Sequence, residues 1–275
     1  MTNEQIKTLL LLAIAFAIIA IYAMQPTKWA LAGVPLEKAN FSALIYNKVG
    51  NGSGSDADFA DRKTALDYKQ DNAAHTADED KTQAVDSSAQ TVLLIGDSMI
   101  EGLARRFANY AKANNHKLYT IVWYGSTTKS WAETNTLDYF IKLRKPTYIV
   151  VCLGSNELFV NDLDLRRTYV AAIRKKIGTI PYVWIGAPDW KGDTGINDMI
   201  EREVGNGRYF DSRQLVIKRG SDNIHPTFSA AALWADSVAQ WMSSGKTLHP
   251  IELKRLQGDN AKCNFTLLQP DFKGY

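Results

Sequence analysis

The chain has 275 residues, 45% of them hydrophobic and 22% charged, with a formal net charge of +3. This is the composition of a globular domain with a sizeable core, and the absence of a basic stripe with interleaved aromatics argues against nucleic-acid binding. The two cysteines, Cys152 and Cys263, form no C-x-x-C pair, so neither a zinc knuckle nor a dithiol redox motif is indicated.

The first strong signal is Thr8 to Met24, TLLLLAIAFAIIAIYAM, which carries no charge. As a helix it would span roughly 25 Å, just enough to cross a bilayer core. Residues 1–25 are therefore expected to form a membrane anchor. A cleavable signal peptide is the competing reading, with a poor cleavage site at Ala30-Leu31-Ala32. Lys7 before the run and Lys28 and Lys38 after it leave the orientation open. The body of the protein is expected outside the cytoplasm, periplasmic in a bacterium, or secreted if the run is cleaved.

Residues 26–90 read as a flexible acidic linker. They begin with a mixed stretch containing Trp29, Leu36, Phe41 and Tyr46, and Gly50 to Gln90 is rich in Gly, Ser, Ala and Asp. Such a stretch buries too little apolar surface to offset its ordering entropy.

From Thr91 short apolar runs alternate with helical patterns. Strands are expected at Thr91–Ile95, Leu118–Trp123, Tyr148–Leu153 and Tyr182–Ile185, with a weak one at Arg208–Asp211. Helices are expected at Ile100–Asn115, Ser130–Leu143, Asp164–Ile177, Asn197–Val204 and Ser229–Met242. The alternation implies an α/β domain over residues 91–244, a parallel sheet with helices on both faces. Residues 245–275 are left as a C-terminal extension. Cys152 reads as a buried thiol in an apolar strand, and pairing with Cys263 is left to geometry.

Sites in such sheets lie at the carboxyl ends of the strands. The first strand ends in Gly96-Asp97-Ser98, the second in Tyr124-Gly125-Ser126, and the third in Gly154-Ser155-Asn156-Glu157. A fourth polar cluster, Ser221-Asp222-Asn223-Ile224-His225-Pro226, precedes the last helix. Together these exits can supply a serine nucleophile, its base and an oxyanion hole. Serine needs a base to take its proton, the base needs an orienting partner, and the tetrahedral intermediate needs preset donors. Ser98 is the candidate nucleophile, His225 the base and Asp222 its partner. The N–H groups of Ser98 and Gly125 and the Asn156 amide are the candidate oxyanion donors. Asp97 reads as a brace for the loop. Neither metal nor cofactor is called for.

The pattern resembles the SGNH hydrolase superfamily, the GDSL esterases and lipases. Its four blocks correspond to Gly96-Asp97-Ser98-Met99, Gly125, Gly154-Ser155-Asn156-Glu157 and Asp222-Asn223-Ile224-His225. The resemblance covers about Thr91 to Ser243. It implies a flavodoxin-like three-layer α/β/α sandwich of about five parallel strands, ordered 2-1-3-4-5, and ester hydrolysis through an acyl-enzyme. Two positions depart from the pattern: Met99 stands for the usual leucine, and Glu157 for the usual aspartate after the asparagine. The second glycine of G-x-S-x-G is missing, against the sharp elbow of the α/β-hydrolases.

Trp123, Tyr124, Trp131, Trp184 and Trp190 fall near strand ends, where they would line a cleft rim or pack in the core. Trp190 is the best placed of them for substrate contact, and Asp189 either touches substrate or caps a turn. Arg166, Arg167, Lys175 and Lys176 read as a solvated helix face, and His116 as a solvated helix end. The expected partners are an acylated carbohydrate or another ester, and the membrane through the N-terminal run. An O-acetyltransferase of the same fold and a non-catalytic carbohydrate-binding envelope component are the alternatives.

Overall fold

The computed structural model describes residues 28–31, 34–37, 83–189, 192–254 and 261–275. The apolar run Thr8–Met24, most of the acidic linker and Trp190 lie outside the described residues. Among the described residues no helix is long and apolar enough to cross a membrane.

Within the expected linker, β1 (Lys28–Leu31) and β2 (Val34–Glu37) form an antiparallel pair, in register from Lys28↔Glu37 to Leu31↔Val34. This hairpin belongs to a unit, residues 1–60, separate from the main domain.

The main domain is built on six parallel strands. They are β3 (Thr91–Gly96), β4 (Lys117–Trp123), β5 (Tyr148–Cys152), β6 (Tyr182–Ile185), β7 (Tyr209–Phe210) and β8 (Phe265–Leu268), ordered β7-β6-β5-β3-β4-β8. The first five follow the expected 2-1-3-4-5 order. The sixth comes from the stretch assigned to the C-terminal extension and pairs outside β4, from Thr120↔Phe265 to Trp123↔Leu268. Residues 83–90 also join the domain. The Asp86 amide donates to Pro250 O at 2.9 Å, and the Glu252 amide returns a bond to Asp86 O at 2.9 Å.

Side chains alternate across each strand, so the apolar runs feed two cores at once. Leu93, Ile95, Ile149, Val151 and Trp184 face one side, where they meet Trp131, Phe140, Val170, Ile173 and Ile200. These come from α2 (Thr128–Glu133), α3 (Thr136–Arg144), α4 (Leu163–Ile177) and α5 (Ile196–Val204). Val92, Leu94, Val150 and Val183 face the other side and pack on Ile100, Leu103, Phe107, Trp234 and Val238. Those belong to α1 (Ile100–Ala113) and α6 (Phe228–Met242). Cys152 is buried in this second core, and both cysteines are free thiols.

Two local expectations change. The helix expected over Ser130–Leu143 is two helices, because Thr134 is extended (φ −104°, ψ 162°) and turns the chain between α2 and α3. His116 is buried rather than solvated. Its Nδ1 accepts from the Gln90 amide at 3.0 Å, which leaves Nε2–H to donate to Glu252 O at 3.0 Å.

One feature of this fold positions the site. The chain leaves β3 through α1 for β4 on one side, then returns to β5 on the other. The carboxyl ends of β3, β4 and β5 therefore surround a topological switch point, where a doubly wound sheet opens a crevice.

Candidate active site

Ser98 lies in the turn that ends β3 and opens α1. The Ile100 amide donates to Asp97 O and the Glu101 amide to Ser98 O, both at 3.3 Å. Gly96 is required where the turn begins. A Cβ there would stand 2.2 Å from Cys152 O and 2.8 Å from Ile100 Cγ2, so only glycine lets β5 and α1 come this close.

His225 reaches Ser98 from the far end of the domain. Its loop is closed by the Gly220 amide donating to His225 O at 2.8 Å and the Thr227 amide to Lys218 O at 2.9 Å. Asn223 adopts a left-handed conformation at the turn (φ 57°), which asparagine tolerates. Asp222 Oδ1 accepts the amides of Ile224 and His225, both at 2.9 Å, which aims Oδ2 at the ring. His225 Nδ1 donates to Oδ2 at 2.6 Å, leaving Nε2 free to accept from the Ser98 hydroxyl at 2.8 Å. Burial pushes the Asp222 carboxyl up, but the bonds from the His225 ring and the two amides outweigh it and hold the acid at about 2. The carboxylate is thus charged at any working pH.

The helices behind these residues are pinned together. Arg106 on α1 makes a forked pair with Asp236 on α6, 2.7 Å at each oxygen, and Tyr110 donates to Asp236 Oδ1 at 2.6 Å. Such planar, charge-assisted pairs fix orientation as well as distance. Arg219 holds the histidine loop to the end of β6, donating to Ile224 O at 2.7 Å and to Pro188 O and Asp189 O at 3.4 Å each. Asp189 Oδ1 accepts from the Gly192 amide at 2.5 Å.

The two candidate oxyanion residues, Gly125 and Asn156, stand on the other two strand exits. Gly125 is exposed with φ +69°, a conformation that suits glycine. Asn156 is also exposed, and its Nδ2 donates to Ser126 O at 2.9 Å, tying the third exit to the second. Glu157 reinforces that tie. It is buried and receives the Thr128 amide and hydroxyl, each at 2.7 Å, at the start of α2. Arg166 closes the cluster, 3.2 Å from Glu157 and 3.1 Å from Asp162. It is only 17% exposed, as is Lys176, which donates to Thr134 O at 2.5 Å and to Asp138 Oδ2 at 2.7 Å, so the solvated-face expectation fails for these two, while Arg167 at 54% fits it.

Asp97 braces the first exit against the third. Fully buried, it accepts from the Met99 amide at 3.0 Å and from the Ser155 hydroxyl. Burial lifts its carboxyl to about 6, against those bonds. Of the aromatics, Trp123, Trp131 and Trp184 are core residues. Tyr124 is half-buried against the second core. Its hydroxyl donates to Glu101 Oε2 at 2.8 Å, and burial together with that carboxylate pushes the phenol up to about 12.

Sequence reading missed the roles of Arg219 and Arg106. Both act on backbone or on a distant helix, and no local spacing signals that.

No protein-family model matches the chain, and no curated protein matches it. Among solved structures the chain is similar to TesA, at 14% identity over 57% of this chain and 99% of the other, with a TM-score of 0.43. It is similar to the C-terminal catalytic domain of Streptococcus pneumoniae peptidoglycan O-acetyltransferase A, at 16% identity over 57% and 94%, with a TM-score of 0.37. It is also similar to BT4096, a gut microbial diltiazem-metabolizing enzyme, at 13% identity over 60% of this chain and 50% of the other, with a TM-score of 0.42. This chain thus spans about half the length of BT4096.

The first five strands of the sheet take the order that the SGNH resemblance implies. All four blocks of the motif stand at carboxyl-end exits or on the loop before α6, and the serine, histidine and aspartate stand in hydrogen-bonding sequence.

Proposed function

We propose that the chain is a serine esterase that removes O-acyl groups, O-acetyl above all, from a carbohydrate of the cell envelope. One observation carries this reading: the Ser98–His225–Asp222 relay, with steps of 2.8 and 2.6 Å. The Ser98 oxygen attacks the ester carbonyl as His225 Nε2 takes its proton. The oxyanion forms between the amides of Ser98 and Gly125 and the Asn156 side chain. Collapse breaks the acyl–oxygen bond, and the histidine returns the proton to the departing sugar hydroxyl. Water then attacks the acyl-serine with the same base, releasing the acid and restoring Ser98.

Exposure supports a bulky alcohol portion. His225 and Asp222 are 44% and 48% exposed, and Gly125 and Asn156 stand at the surface. The machinery lies in an open mouth, which accepts a small acyl group carried on a polymer. Trp190 belongs in this reading as a sugar-facing aromatic, and Thr8–Met24 as the segment that tethers the domain at the outer side of the membrane.

The test is turnover of p-nitrophenyl acetate and of an acetylated oligosaccharide by the purified chain, with products resolved by mass spectrometry. Free acetate that depends on Ser98 supports the esterase. Acetate appearing on an added sugar acceptor instead of in solution would assign the transferase.

A further inference from the structure

The stretch 261–275 does more than add an edge strand. β8 brings Leu268 beside Trp123, and the next amide, that of Tyr124, donates to Leu268 O at 3.0 Å. Gly125 follows directly. The chain then turns, with the Phe272 amide donating to Gln269 O at 3.0 Å. This turn sets Pro270 over Gly125, with its Cβ 4.0 Å from where a Gly125 Cβ would be.

The Phe272 ring meets Trp123 edge-on at 5.1 Å, and Trp123 meets Trp131 at 5.5 Å. Trp131 Nε1 in turn donates to Ser126 Oγ at 3.0 Å, on the other side of Gly125. The far end is tied to α3. Tyr275 stacks on Tyr139 at 3.9 Å, accepts from the Asn135 amide at 2.9 Å and donates its own amide to Thr136 Oγ1 at 3.2 Å.

We propose that residues 265–275 are a strap that positions the Gly125 amide for oxyanion binding. The inference rests on the oxyanion role proposed above for Gly125. Gly125 is exposed, has no side chain to anchor it and holds a left-handed conformation. Its amide direction is therefore set by its neighbours, and the strap holds Tyr124 before it and, through the tryptophans, Ser126 after it. Donors act in proportion to how well they are preset, and displacements of about 1 Å are costly. The strap is thus a positioning element, and Phe272 its central residue.

The experiment compares Phe272→Ala and Phe272→Leu with the parent chain. For Phe272→Ala, amide exchange across residues 124–127 is expected to speed up while α1 peptides keep their rates. With p-nitrophenyl acetate, kcat is expected to fall about tenfold with KM within about twofold and no change in the shape of the pH profile. Phe272→Leu, which refills the space beside Trp123, is expected to restore most of the rate. Unchanged exchange at 124–127 overturns the strap. Faster exchange with unchanged kcat overturns its positioning role. If the parent itself shows no Ser98-dependent turnover, the esterase reading fails, and the exchange result alone decides the strap. Tyr275→Ala, which removes a half-exposed ring, replaces Phe272→Ala if that variant does not fold.

Discussion

Glu157 reaches from the third strand exit to the start of α2 and receives both the amide and the hydroxyl of Thr128, each at 2.7 Å. The bond pair locks the loop that carries Asn156 to the loop that carries Gly125. It also explains how the site accommodates a glutamate where the resemblance calls for an aspartate: the longer side chain reaches both donors of Thr128, although burial raises its carboxyl against those bonds. Arg166 on the other flank completes the neutralisation.

Removing this carboxylate strands several groups. In Glu157→Ala the Thr128 donors and the Arg166 guanidinium lose a buried partner. The expected loss is about 3 kcal/mol of unfolding free energy, read from urea denaturation. A loss under about 1 kcal/mol would show that water replaces the carboxylate and that the tie is dispensable.

Asp97 gives a pH prediction of definite sign. Its folded pKa of about 6 stands above the ordinary 3.8. An acid raised in this way stabilises the fold when protonated. That contribution is complete below about 3.8 and is lost as pH rises through about 6. Asp97→Asn abolishes the titration. Between about pH 3.5 and pH 7.5 the stability of the variant is therefore expected to rise relative to the parent by roughly 3 kcal/mol. A pH-independent difference in urea unfolding would contradict the assignment.

Asn156→Ala removes one of the proposed oxyanion donors and leaves the relay intact. It is expected to lower kcat for p-nitrophenyl acetate by about 10²–10³-fold with little effect on KM. A change confined to KM would make Asn156 a ground-state contact.

Much of this architecture was legible in the sequence for physical reasons. TVLLIG and YIVVC are apolar on both faces because the sheet is buried on both faces, and their small polar exits mark the carboxyl ends. Asp222 and His225 are close in sequence, so their pairing could be read directly. What escaped depends on distance. FTLL is too short and too exposed on one side to stand out as a strand, and only β4 makes it one. His116 looked like a helix end because its partners, Gln90 and Glu252, come from segments that a local pattern places outside the domain. Arg166 and Lys176 sit among charged neighbours on α4, and nothing in that spacing tells these two, which turn to Glu157 and to Asp138, from Arg167 and Lys175, which face water.

The relay has a kinetic signature of its own. Ser98→Ala and His225→Ala are each expected to reduce turnover by at least about 10³-fold. Asp222→Ala is expected to cost less than either, because the histidine keeps its bond to the serine. Losses that add in the combined variants would mean that the three do not act as a unit.

Whether His225 activates Ser98 as a nucleophile is read by intact-mass and peptide mapping after reaction with a fluorophosphonate. A single adduct on Ser98 is expected in the parent chain, and at least about a hundredfold slower labelling in His225→Ala. An adduct on another residue, or equal labelling of Ser98 without the histidine, would contradict it.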